Sequence, residues 1–342
     1  MDINALIQHQ AYLYRLSSSE VSDLIKQFDD LSSVMLLQLL DILSELSSAE
    51  RTALMAGQYT TVQLKEVRTL IQTWQQSVNT VLIEGFQVSA TALAVYEAQY
   101  IARQIGKKIK PNGDKLMLKA KETPLSGGAL LDSLFSKLSA DTKAQVENVL
   151  RDGLSLGQTN EQIVRRIKGT KKLGYADGLL NQTRSSIDGI VRTARSHVAN
   201  VTYSEIYKAL GTEYLKFVSV LDSRTSKMCG SLDGTVWEIN SPNIRRPPLH
   251  RRCRSILVGV DKTGETLGQR PSNNGKDIKT VDSNTSFKDW FADQDEKFQK
   301  NWLGAARFKM YQDGKYSFDK FFDPLSGQIF TLKELNLFDK GI

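Results

Sequence analysis

The chain has 342 residues, enough for two or three domains, and no apolar run approaches the roughly 20 residues of a membrane span. Two cysteines are too few for a disulfide framework, and the start MDINALIQHQ lacks the basic stretch and apolar block of a signal peptide, so synthesis in a cytoplasm is expected. The net charge of +7 is unevenly placed: residues 1–90 hold five basic and ten acidic side chains, and the remainder carries +12. A basic body suggests an anionic partner, nucleic acid first, although a solvated surface gives the same composition.

Residues 1–106 read as a helical N-terminal region. Ser17-x-x-Glu20, Ser47-x-x-Glu50 and Thr60-x-x-Gln63 each have the spacing of a capping box. The first is followed by Val21, Leu24, Ile25 and Phe28 on one helical face. The third is followed by Leu64, Val67, Leu70, Ile71 and Trp74, and the period continues through Leu82, Phe86, Ala90, Leu93, Tyr96 and Tyr100. Residues 34–46 are apolar on most sides, which predicts a buried helix or, second, a face packed on another subunit.

Residues 107–128 change character, with clustered lysines, Gly, Pro and Asn and no clear period. They read as a linker or exposed arm. From 129 to 210 the helical pattern returns. Thr159-x-x-Gln162 caps a short helix, and the hairpin at 143–168, with Arg165, Arg166 and Lys168 on its second helix, has helix–turn–helix spacing. Any helical hairpin shows that spacing, and the second helix ends early, at Gly169. A last helix, about 183–210, holds Arg192, Thr193 and His197; a lone helical His is ordinarily a packed or surface residue.

Residues 211–260 form a strand-and-loop module. Short apolar runs at 217–221 and 256–260 read as strands, and the chain between them is mostly turn chemistry, including a hairpin signal at Asp233-Gly234. A loop of this length needs staples, and Cys229, His250 and Cys253 are the obvious ones. Residues 129–260 are therefore taken as one core of helices followed by a Cys/His module. Residues 261–284, rich in Gly, Asn and Thr, read as a long exposed loop. Residues 285–342 read as a C-terminal docking segment, because Trp290, Phe291, Phe298, Trp302, Phe318, Phe321 and Phe322 are too dense for a free tail. The fold class expected is α+β, predominantly α-helical, with a small strand-and-loop module in the C-terminal half.

The chain carries no phosphate-cradling GxxxxGK[ST] loop, no GxSxG elbow and no HExxH. A Cys–His nucleophile pair drawn from Cys229 or Cys253 with His250 is conceivable. Metal binding fits better: the three residues offer soft and borderline ligands suited to one structural Zn²⁺, with a fourth position left to Asp222, Asp233, water or a more distant carboxylate. Two packed thiols or a Cys229–Cys253 disulfide remain alternatives. Arg245, Arg246, Arg251, Arg252 and Arg254 place five arginines in ten residues, and their forks suit a phosphate backbone or an acidic protein face equally well.

A resemblance extends this reading. Asp222-x-Arg224-Thr225, then Cys229-x-x-Leu232-x-Gly234-x-x-Trp237, then Pro247-Pro248-x-His250-x-x-Cys253-Arg254 together resemble the Mu F-like minor head protein family of tailed phages, also called phage head morphogenesis proteins. The helix at Leu93, Tyr96, Glu97 and Ala98, the Pro124–Leu131 segment, Gly153 with Gly157 and Thr159, Arg192-Thr193, and a tail from Trp290 to Leu335 are similar to the same family, so the likeness spans roughly residues 90–340. The N-terminal 80 residues carry no matching motif. Many relatives read Cys-x-x-Cys where this chain has Ser226-Lys-Met-Cys229, and Cys-Arg-Cys where it has Cys253-Arg254-Ser255.

The resemblance implies a minor structural protein of the phage head at the portal vertex of the virion, active in head assembly, DNA packaging or ejection. It would be no enzyme. Its partners would be portal or capsid protein and, through its basic loops, non-specific DNA. The rivals are a phage-encoded metal-dependent nuclease and a free DNA-binding protein.

Overall fold

The computed structural model describes residues 3–339. Residues 1–2 and 340–342, which belong to the expected N-terminal and C-terminal pieces, lie outside the described residues. Helix predominates, with two small sheets in the C-terminal half, so the fold is α+β and mostly α. The chain divides into two compact units: residues 16–90 with 129–194, and residues 1–15 with 91–128 and 195–342.

The first of these units is built on long helices. Helix α1 spans Ile3–Glu45 and α3 spans Val62–Gln104; α2 (Ser48–Met55) lies between them in sequence. Their apolar residues recur at three- and four-residue spacings, so each helix buries one stripe: Val21, Leu24, Phe28, Met35, Leu39 and Leu43 on α1, and Leu64, Val67, Ile71, Trp74, Leu82 and Phe86 on α3. The Phe28 and Trp74 rings lie 6.4 Å apart, and the Trp74 indole donates to Ser32 at 3.2 Å. Gly85 lets α1 approach α3: a Cβ there would stand 2.7 Å from Leu24. Helix α5 (Leu131–Ser155) adds Phe135 against Phe86, with ring centroids 5.3 Å apart.

Not every capping signal is used. Ser47–Glu50 forms its box, but the third helix is capped by Thr61, one residue later than the Thr60 expected. Ser17–Glu20 caps nothing, because α1 runs straight through it. Ser17 instead accepts from Arg192 at 2.6 Å, and Glu20 accepts from Ser89. Of the apolar residues 34–46, Met35, Leu36, Leu39, Leu43 and Leu46 are buried and Val34 and Leu37 are exposed.

Helix α3 is, by length and composition, apolar enough to cross a membrane, a property that counting uninterrupted apolar runs did not register. It demonstrates no span. The core helix of a soluble protein passes the same test, and α3 buries its apolar stripe within the protein.

Helix α6 (Asn160–Lys168) opens with the Thr159–Gln162 capping box and closes on Gly169 at φ 93°. Arg166 is held by Asp152 at 2.5 Å and Gln158 at 3.0 Å, so the helical hairpin ties down one of its own basic residues. The last long helix, α7, spans Leu179–Ala209.

In the other unit, residues 107–128 contain more than an arm. Asn112 caps a ten-residue helix, α4 (Gly113–Glu122), which buries Leu116, Met117 and Ala120. The sequence hid it because lysines occupy its outer face. His197 of α7 is buried against the Ala120 carbonyl at 2.9 Å, and burial lowers its pKa. Helix α7 also flanks a three-stranded antiparallel sheet of order β3-β1-β4, made by β1 (Tyr214–Val218), β3 (Val236–Glu238) and β4 (Ile256–Val260). Asn200 Oδ1 accepts from the Leu257 N–H at 3.1 Å, which satisfies an edge-strand donor.

The second sheet is where the long loop was expected. Strands β5 (Gln269–Asn273) and β6 (Ile278–Asp282) form a hairpin, and β2 (Leu221–Asp222) pairs parallel to β5. Pro271 and the polar side chains of β5 mask the strand pattern. Four C-terminal α-helices follow: α9 (Phe287–Ala292), α10 (Glu296–Leu303), α11 (Ala305–Gln312) and α12 (Leu332–Asp339). The aromatics of these helices and of the 3-10 turn Phe318–Phe321 pack with Leu221 into one buried cluster around Phe287, Phe291, Trp302 and Phe318.

The two structures meet at a buried ion pair. Arg270 donates to Asp233 at 2.9 Å, with both side chains almost wholly out of solvent. Replacing Asp233 by Ala strands the guanidinium in the interior and is expected to destabilise the protein by about 3–5 kcal/mol. Urea unfolding of Asp233→Ala beside the parent measures it, and a loss under about 1 kcal/mol would contradict this account.

Candidate metal centre and its arginine-rich loop

A short helix and a long loop bring the three staples together. After β2, Asp222 organises a tight turn: its carboxylate accepts from the Arg224 N–H at 3.0 Å and from the Thr225 hydroxyl at 3.1 Å. Ser226 then caps α8 (Lys227–Leu232), accepting from the Cys229 N–H at 3.2 Å. That cap places Cys229 one turn into the helix, facing the loop that returns to β4. The loop passes through a cis Pro247-Pro248 bond, presents His250, turns, and presents Cys253, whose N–H donates to the His250 carbonyl at 3.1 Å.

The ligand atoms of Cys229, His250 and Cys253 all lie within 4.8 Å of one another. Cys229 Sγ stands 3.6 Å from Cys253 Sγ and 3.2 Å from His250 Nε2. A tetrahedral zinc with ordinary bond lengths would set these edges at about 3.8 and 3.5 Å, so the donors already sit near the required spacing. His250 Nδ1 lies 2.9 Å from the Arg251 carbonyl, which fixes that nitrogen as the N–H donor and leaves Nε2 as the ligand atom. Two free, buried thiols form no disulfide here.

Ser226 and Ser255 both face this cluster. Ser226 Oγ is 2.9 Å from His250 Nε2, and the Ser255 hydroxyl hydrogen-bonds to Cys229. The hydrogen bond between the thiols raises the Cys229 pKa, and burial adds to it. The same bond holds Cys253 well below the ordinary thiol value, against the opposing effect of burial and with help from His250. His250 is raised chiefly by its hydrogen bond to Cys253. The donor set fits one Zn²⁺, with the Ser226 hydroxyl beside the fourth position. The carboxylates weighed for that position are engaged elsewhere, Asp222 with Arg254 and Asp233 with Arg270.

The five arginines do not form one surface. Arg254 grips Asp222 through two bonds of 2.6 and 2.8 Å. Arg245 is half-buried and reaches the Ser326 carbonyl at 3.5 Å. Arg251 and Arg252 are exposed on the turn beside His250, with Arg252 at φ 59°. Arg246 is half-buried and lines a cavity on another side of the loop. Sequence spacing could not divide them, because their directions follow from the turns at 247–253.

Most of the signature residues are accounted for by local structure. Gly234 adopts φ 85° and its N–H donates to the Phe217 carbonyl; Trp237 packs edge-on to Phe217 at 6.4 Å. Glu97 is fully buried, accepting from His9 at 2.9 Å and from Tyr203, a polar knot that sequence reasoning missed because its members lie far apart in the chain.

Residues 144–258 match the family described as phage Mu protein F like protein. That span contains Cys229, His250 and Cys253; the similar segments before 144 and after 258 lie outside it. No curated protein and no solved structure matches significantly.

The Asp222–Arg254 clamp makes a pH-dependent prediction. Burial works to raise the Asp222 pKa, but hydrogen bonding to Arg254 and its charge outweigh burial and leave the value lowered. A depressed carboxylate pKa contributes stability above the unfolded value of about 3.9, and that stability is lost as pH falls through the folded value. Asp222→Asn should cost about 1–3 kcal/mol at neutral pH. Its unfolding free energy should also fall less steeply than the parent's in acid, as read by urea titration across that range. Parallel pH profiles would refute the clamp.

Proposed function

From the match of residues 144–258 to the family described as phage Mu protein F like protein, we propose that the chain is a minor head protein bound at the portal vertex, acting in head assembly and in DNA packaging or ejection. The match supports a bacteriophage head-related role for this chain. The reading rests on Cys229, His250 and Cys253 lying together inside the matched residues. Binding, with no catalysed reaction, is the mode of action proposed. Both thiols are buried, at 2% and 3% exposure, which leaves a substrate no approach to the one cluster that resembles a nucleophile pair. Synthesis in a host cytoplasm and residence in the virion follow from the same reading.

Purified chain and the portal protein of the same phage should co-elute as a complex of defined mass in light-scattering chromatography. Separate elution at both low and physiological salt would defeat portal attachment. A metal-dependent nuclease is the rival. Cleavage of plasmid DNA in the presence of a divalent ion, lost in His250→Ala, would establish it in place of the binding reading.

One structural zinc at Cys229, His250 and Cys253 is part of the proposal, supported by the donor spacing. Ser226 stands next to the open position, so Ser226→Cys supplies a second Cys-x-x-Cys thiolate. Zinc affinity should rise at least about tenfold in a competitive chelator titration, since thiolate replaces neutral hydroxyl. Cobalt substitution should give the parent a visible thiolate-to-metal band that Cys253→Ser loses. If the parent takes up neither ion, the centre is a pair of packed thiols.

A further inference from the structure

The cavity behind the arginine-rich loop has a chemistry that neither the family match nor the metal centre uses. It encloses about 350 Å³ within one compact unit, between the end of α4, the last turns of α7 and the chain just after β3. Lys119, Lys208 and Arg246 line it, with Glu205 as the acidic member, so its walls carry two net positive charges. Thr123, Ser204, Asn240 and Ser241 add hydroxyl and amide groups, and Val201 and Ile239 form an apolar side.

Arg246 is the informative residue. Its guanidinium is half-buried, and burial pulls its pKa down with only the Glu205 charge opposing. No hydrogen bond satisfies it among the described residues, whereas Arg245 and Arg254 on the same loop both have acceptors. A half-buried planar cation whose five donors meet no protein acceptor presents a fork that an oxyanion in the cavity can fill. Lys119 and Lys208 are exposed at the rim, free to converge on the same anion.

We propose that this cavity is a phosphate-binding site, taking one phosphate group through Arg246, Lys119 and Lys208, with the adjoining sugar or base against Val201 and Ile239. Phosphate fits the donor set better than a carboxylate does: it offers three or four acceptor oxygens to a fork, two ammonium groups and several hydroxyls. A cavity of this size admits a free phosphate or a flexible single strand and has no room for a duplex. The inference stands on the cavity alone and does not need the head-assembly reading; loss of portal binding and loss of phosphate binding are separate results.

The test is fluorescence anisotropy of the full chain with a 5′-phosphorylated, 3′-fluorescein-labelled octathymidylate, with inorganic phosphate as competitor and as a direct calorimetric titrant. Saturable binding that inorganic phosphate displaces supports a phosphate read within a strand. Heat from inorganic phosphate with no strand binding supports a free phosphate as the source. In either case Arg246→Gln should weaken binding by roughly ten- to a hundredfold and Lys208→Gln by several-fold. Lys320→Gln, the same charge change on the C-terminal segment, should leave it within about twofold. Circular dichroism of each variant separates a lost site from a lost fold. Three results overturn the proposal: no binding of either probe, equal weakening by Lys320→Gln, or an oligoglutamate peptide that binds more tightly than both phosphate probes, which would reassign the cavity to an acidic protein segment.

Discussion

The C-terminal half depends on one buried carboxylate. Asp233 accepts from the Ser219 N–H, both terminal nitrogens of Arg270 and the Phe287 N–H. Those donors come from the bend between the two sheets, the hairpin strand β5 and the start of the aromatic segment. The terminal nitrogens of Arg270 also donate to the Ser219 and Thr285 carbonyls, while its buried Nε–H has no partner. A buried charge pair repays little of its desolvation cost, so this pair stabilises one arrangement of three segments more than it stabilises folding in general. Asp233 also follows directly on α8, the helix that carries Cys229, and so bears on the geometry of the Cys/His cluster.

The module around that centre uses its polar residues in the same way. Asp222 folds a turn, is clamped by Arg254, and sits beside Thr225, whose carbonyl accepts from the Trp302 indole at 3.0 Å. The Cys/His cluster, the clamp and the aromatic cluster thus form a chain of neighbouring constraints. Ser226 and Ser255 join the cluster's own hydrogen bonding, so two thiols, an imidazole and two hydroxyls hold one another together.

Much was legible in the sequence where spacing carries the information. The heptad-like stripes of residues 62–100, the capping boxes at Ser47 and Thr159, the strand at 256–260 and the dense aromatics of the tail all took the form their periods and compositions dictate. Elements whose outer faces are polar were read as loops: α4 under its lysines, and the β5–β6 hairpin under its Asn, Lys and Pro residues. Ser17-x-x-Glu20 misled because a capping motif stops a helix only when nothing better holds the chain. Here Arg192 and Ser89 engage both side chains within a continuous helix.

The sequence by itself determined which residues are chemically able to form the site, since Cys229, His250 and Cys253 are the soft ligands available, and it determined the helical stripes, since burial repeats with the helix. Tertiary structure decided what those residues do. The turns at 222–226 and 247–253 set three side chains to within 4.8 Å, sent Arg254 to Asp222 and turned Arg246 into a cavity. Direction at a turn depends on backbone dihedrals and on partners tens of residues away, and neither is written in local spacing.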